Sequence, residues 1–245
     1  MKIIFHFNLM LIIKRLRLVL SLMFGVLLLL SCQKDELSKE MDFVGQSFSG
    51  LAAFNAVEQS ASLQFIVDDK VMNAGDEAFE LGGYIRHKGV FDGRRNIQLH
   101  NKALNKEVFR GAHEFVKNKV YSLFFYGKEQ VQVRVVEDDM IAPASGKAKI
   151  RFANFSNGGK LQLKTIKGTS SMPANFNLSA QQVTDFAEYD VATVEFQFNT
   201  DLSKLLLNFV PENKGVYTLF VVPVEQKREE EYLGAEYKVM VIKHS

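Results

Sequence analysis

From about Ser47 onward the chain alternates apolar and polar residues with a period of two. Val131, Val133 and Val135 are interleaved with Gln132 and Arg134. Val194, Phe196 and Phe198 are interleaved with Glu195 and Gln197, and Ile97 and Leu99 with Asn96, Gln98 and His100. Successive side chains of a strand point to opposite faces, so this pattern predicts half-buried antiparallel strands. Sustained helical periodicity is missing, and the chain reads as all-β.

The pattern also repeats. Phe54–Phe65 aligns without a gap on Phe152–Leu163, and Asn118–Phe124 aligns on the Asn213–Phe220 stretch at nearly the same offset, between 95 and 98 residues. Each copy closes on a valine-rich strand, Gln130–Val136 and Tyr237–Ile242. Between the copies, Asp138–Lys147 carries Pro143, Gly146 and small residues, which marks a boundary. The expected organisation is two tandem antiparallel β-sandwich domains, immunoglobulin-like or transthyretin-like, at 47–140 and 141–245.

The start of the chain has a different character. A basic patch, Lys14, Arg15 and Arg17, precedes the apolar run Leu18–Leu30, and Ser31-Cys32 follows it. The run is too short for a spanning helix of about 20 residues and has the layout of a secretory signal, with Met10 as a second candidate start. Leu29-Leu30-Ser31-Cys32 resembles the lipobox of bacterial lipoproteins, which implies a signal at 1–31 and acylation of Cys32. Gln33-Lys34-Asp35-Glu36 resembles the export signal of surface lipoproteins in Bacteroidota, so Lys34, Asp35 and Glu36 are the expected export residues. The polar stretch 32–46 then reads as a tether. That resemblance implies an outer-membrane protein facing the medium, the periplasmic face being the alternative.

Composition narrows the function. The whole chain has a net charge of +2, and losing Met1–Ser31, with Lys2, Lys14, Arg15, Arg17 and no acid, makes it −2. Such a balance gives no electrostatic case for nucleic acid. Cys32 is the single cysteine, so once acylated it leaves no thiol for a disulfide, a metal or catalysis. His87, His100, His113 and His244 show no metal-ligand spacing and read as surface histidines, so neither metal nor cofactor is expected. Asp68-Asp69 reads as a turn, and Asp138-Asp139 as the domain joint. No Gly-x-Ser-x-Gly elbow is present.

The passage Asp138-Asp139-Met140-Ile141-Ala142-Pro143-Ala144-Ser145-Gly146-Lys147-Ala148-Lys149-Ile150-Arg151-Phe152-Ala153-Asn154-Phe155-Ser156 resembles domain-of-unknown-function family 4397. Tyr121-Ser122-Leu123-Phe124 and Tyr217-Thr218-Leu219-Phe220 resemble a strand of that family. The resemblance implies secreted or lipidated bacterial proteins with tandem β-sandwiches and brings no activity with it. The candidate contact surfaces are the basic loop Arg86–Arg95, with Arg86, His87, Arg94 and Arg95, and the acidic segment Gln226–Tyr232. The expected function is non-catalytic: a binding or adhesion module for a protein or glycan, held to the membrane by its N-terminal lipid. A structural subunit of an envelope complex is the alternative, and a hydrolase with a scattered carboxylate site comes third.

Overall fold

The computed structural model describes residues 47–73, 77–156, 159–168, 172–200, 204–224 and 237–244. The signal, Cys32, Lys34, Asp35, Glu36 and the segment Gln226–Tyr232 lie outside the described residues. The described strands of the first copy are β1 (Phe48–Val57), β2 (Leu63–Val67), β3 (Lys70–Val71), β4 (Tyr84–Phe91), β5 (Gly93–Asn101), β6 (Lys106–Phe115), β7 (Val120–Gly127) and β8 (Gln132–Glu137). The second copy contributes β9 (Lys147–Asn154), β10 (Leu161–Lys167), β11 (Asn175–Leu178), β12 (Gln182–Val183), β13 (Ala187–Asp190), β14 (Val194–Asn199), β15 (Lys204–Phe209), β16 (Val216–Pro223) and β17 (Tyr237–Lys243).

These strands make four sheets. Sheet I runs β3-β2-β5-β6 and sheet II β4-β1-β7-β8; sheet III runs β12-β9-β16-β17, with β13 also on β9, and sheet IV runs β11-β10-β14-β15. Leu51, Phe65, Leu99, Leu123 and Phe125 pack into a core between sheets I and II. Ile150, Leu163, Phe198 and Leu219 do the same between sheets III and IV. A third apolar cluster, with Phe54 and Phe124 from one copy and Phe155 and Phe220 from the other, fills the space between sheets II and III. The sheets are therefore stacked four deep, and Ser47–Ser245 is one compact unit.

Because sheets II and III are covered on both sides, their central strands have no solvent-facing side. β16 is buried at every position, and β9 at all but its first. Strands buried on both faces read as continuous apolar runs, and Val216-Tyr217-Thr218-Leu219-Phe220-Val221-Val222 is such a run. The pairing at these centres is parallel, β1 on β7 and β9 on β16. Antiparallel pairing, expected throughout, holds for the other pairs.

The duplication is visible in matched details, with one correction. Leu51 faces Tyr121, and Ile150 faces Tyr217. Leu51 and Ile150 are 99 residues apart, so the gapless match of Phe54 on Phe152 is one residue out of register in this strand. A slip of one residue exchanges the faces of a strand: Phe54 faces the other sandwich, whereas Phe152 lies in the second core. The tyrosines match at an offset of 96: the Tyr121 hydroxyl accepts from Val116 N at 3.2 Å, and that of Tyr217 from Glu212 N at 2.9 Å.

Candidate functional site

Polar side chains gather at one place in the joint between sheets II and III. Arg151 points out of β9 toward the first sandwich, where Ala52 occupies the matching place in β1. Its Nη1 donates to Asp138 Oδ1 at 2.5 Å, Nη2 to Ser122 Oγ at 2.8 Å and Nε to Thr218 Oγ1 at 2.8 Å. Ser122 Oγ in turn donates to Asp138 Oδ2 at 2.6 Å, and His87 Nε2 lies 3.2 Å from the same oxygen. On the other side, His244 meets Thr218 Oγ1 through Nε2 at 2.7 Å and the Tyr84 hydroxyl through Nδ1 at 3.1 Å. The guanidinium carbon stands 4.3 Å from the centre of the Phe186 ring and 5.3 Å from that of Phe124.

The duplication supplies part of this arrangement. Ser122 and Thr218 are equivalent positions, and Asp138 N donates to Val120 O as His244 N donates to Val216 O. Each sandwich thus contributes one hydroxyl and the residue that follows its last strand. Arg151 sits between them.

Burial controls the charges. It pulls His244 down to about 3, with Arg151 and His87 adding to the effect, so the ring is neutral at ordinary pH. Burial also pushes the Tyr84 hydroxyl up to about 12, assisted by Asp138. Burial works to raise Asp138 as well, but the hydrogen bond from His87, the Arg151 charge and the Ser122 hydroxyl outweigh it and hold the carboxyl below its ordinary value. Both carboxylate oxygens are taken up by protein donors, so this carboxylate is a fastener and not a free base.

The neighbouring residues continue the pattern. Asp139 accepts from Lys149 Nζ at 2.7 Å. Asn154 Oδ1 accepts from Ser156 N at 3.1 Å, while its Nδ2 holds the carbonyls of Gly159 and Leu178. Asn55, its counterpart in β1, holds Val57 N and the carbonyl of Phe79 in the same manner.

The open face of sheet IV is chemically distinct. Register places Asn177, Gln162, Asn199 and Lys204 in one row across the strands, and Asn175, Lys164, Gln197 and Leu206 in the next. Glu195 and Asn208 form a third pair. Intervening residues such as Leu161, Leu163, Phe196 and Phe198 are buried, so the amide-bearing ones face outward. Gln197 donates to Asn199 at 2.7 Å; Gln162, Asn175, Asn177 and Asn208 have no side-chain partner among the described residues.

Asp138, Asp139, Lys149, Arg151, Asn154 and Ser156 of the passage from Asp138 to Ser156 thus have partners in or beside the joint. Residues 49–164 match the family model of a domain of unknown function, DUF4397. The DUF4397 match covers the first sandwich, the joint and β9, and ends inside β10. Asp138 and Arg151 both lie within it. No curated protein matches the chain. Among solved structures, the family 26 carbohydrate-binding module CBMbc from Eubacterium rectale Amy13K, in complex with maltoheptaose, is similar over 81% of this chain and 97% of that one, at 10% identity and a TM-score of 0.26. At that score the all-β architecture rests on the strands themselves.

Within the DUF4397 match, the residues singled out as a basic loop do not form one. Arg86 and His87 lie on β4 at the edge of sheet II, whereas Arg94 and Arg95 open β5 in sheet I. His87 turns toward Asp138, Arg95 donates to Asp68 at 3.0 Å, and Arg94 stands opposite Glu114. His244, expected at the surface, is drawn into the joint. The amides of sheet IV carried a usable signal, since Asn175-Phe176-Asn177 and Glu195-Phe196-Gln197-Phe198-Asn199 alternate at strand spacing. The strand pairing that turns them into one surface is long-range and has no local mark.

Proposed function

We propose that this chain is a lipid-anchored envelope protein that acts as a non-catalytic binding module, with the open face of sheet IV as its contact surface. The observation that carries the reading is the amide array of Gln162, Asn175, Asn177, Gln197, Asn199 and Asn208. Asn is depleted in strands, yet four of these six are Asn. A broken local preference without a packing gain points to function. Each amide offers donors and an acceptor, which complements the hydroxyl groups of a neutral glycan. Lys164, Lys204 and Glu195 leave the face near electrical neutrality, and Leu206, 52% exposed, gives an apolar contact for a sugar ring. The anchor is Cys32, carried by the resemblance of Leu29–Cys32 to a lipobox, and Lys34, Asp35 and Glu36 support display on the outer face of the cell.

Affinity electrophoresis tests the surface, using gels that contain neutral polysaccharides such as xylan, mannan, starch and β-glucan. The expected result is retardation in at least one gel and its loss in Gln162→Ala/Gln197→Ala. Unretarded migration in all of them, or retardation that survives the double substitution, overturns the reading. Fatty-acid labelling of wild type and Cys32→Ala, with protease shaving of intact cells, tests the anchor and its side.

A further inference from the structure

Four apolar side chains lie exposed at one end of the first sandwich. Phe48 opens β1 and is 46% exposed, and Phe91, which closes β4 directly opposite, is 39% exposed. Their ring centres are 5.0 Å apart. Val116, 53% exposed, is held at the same end because Ser49 Oγ donates to its carbonyl at 2.7 Å. Ile141, 77% exposed, follows Asp138, whose N–H is bound to Val120 at the start of β7, beside Gly50. Lys117 and Lys119 stand in the adjoining turn, the latter paired with Glu137.

This is the end at which the tether enters. Fourteen residues, Gln33–Gln46, separate Cys32 from Ser47. Even fully extended, fourteen residues reach at most roughly 50 Å. A lipid on Cys32 would therefore hold Phe48 within that distance of the bilayer. Phenylalanine is among the residues that surface-bound segments bury at the headgroup–acyl boundary, and Phe48 and Phe91 form an exposed pair of rings.

We propose that the tether end of the first sandwich rests on the lipid surface, with the Phe48–Phe91 pair set into the interface. The patch orients the protein while the acyl chains hold it. This inference rests on acylation at Cys32.

The chain has no tryptophan, so a single introduced one reports its own surroundings. Full-length acylated Phe48→Trp is reconstituted in vesicles of phosphatidylethanolamine and phosphatidylglycerol, with and without brominated lipid. Acylated Leu104→Trp is the control, in the β5–β6 turn at the far end of sheet I. The expected result is a blue-shifted emission that brominated lipid quenches for Phe48→Trp, and an unshifted, unquenched emission for Leu104→Trp. Equal emission from the two variants in protein that carries the lipid label overturns the docking. So does a blue shift of Phe48→Trp already complete without vesicles, because the patch is then covered by the chain's own residues. Absence of the label in wild type overturns the anchor itself, which separates the two failures.

Discussion

Asp138 closes the first sandwich, Arg151 belongs to the second, and their carboxylate and guanidinium meet at 2.5 Å with side chains 0% and 1% exposed. An ion pair taken out of water loses hydration that its own attraction only partly returns, and removing one partner leaves an uncompensated charge. Asp138→Asn and Arg151→Met are each expected to destabilise the protein by about 3–5 kcal/mol. The double variant is expected to cost clearly less than their sum. Urea titration of the four proteins gives the coupling; strict additivity would mean that the two groups do not act as a pair.

The aromatic stack beside that pair makes a second prediction. Phe124 stacks on Phe54 at 4.4 Å and on Phe155 at 5.1 Å, and Phe220 meets all three edge-on or tilted. Truncating a buried Phe costs about 3–5 kcal/mol. Phe155→Ala removes one ring from the contact between sandwiches and leaves each inner core intact. Calorimetry is expected to show one transition for wild type and two for Phe155→Ala.

His244 makes stability depend on pH. Its folded value is pulled down to about 3, whereas an unfolded histidine titrates near 6.5. The unfolded chain therefore binds a proton between these limits that the folded chain refuses. This contribution is whole above pH ~6.5 and declines as the pH falls, by at most about 1.4 kcal/mol per pH unit. Asp138, held low, adds its own loss only below about pH 4. His87, Asp138, Arg151 and Tyr84 are the ionisable groups around the ring. His244→Gln is expected to flatten the decline between pH 6 and 4 in urea midpoints, and an unchanged slope would place the titration elsewhere.

Gly215 is fixed by contact. A Cβ there would lie 2.4–2.7 Å from atoms of the Tyr217 ring. That ring is buried and its hydroxyl accepts from Glu212 N. Gly215→Ala is expected to lower stability by about 1–3 kcal/mol. Lys119 holds the equivalent place before Tyr121, so Lys119→Gly is expected to be the milder change, again by urea titration.

Much of this architecture could be read from the chain. Alternation in Val131–Val135 and Val194–Phe198 placed half-buried strands correctly, since each has one face on a core. The first strand was harder. Phe54 and Phe152 look alike, but one packs against the neighbouring sandwich and the other into its own, and local pattern cannot tell which core an apolar residue serves when both faces are buried. The run Val216–Val222 held the clue, for a strand with Thr218 as its single small polar residue is covered on both sides. The joint was legible in part, as a boundary at Asp138-Asp139. That Arg151, thirteen residues on, and His244, at the far end of the chain, close onto it follows from tertiary pairing and has no spacing signature.

The pairing of β1 bears on mechanics. If the chain is anchored through Cys32 as proposed, a pull between the cell and the protein would enter at Ser47, along the axis of β1. That strand lies between β4 and β7 and is gripped on both faces. A load parallel to a strand is shared by all its lateral hydrogen bonds at once, as shear, whereas a load across a strand end breaks them one by one. An anchor on this side would therefore load a strand that is held along both edges and on both faces. Under drag, such a protein would be expected to resist until many of these hydrogen bonds yield together.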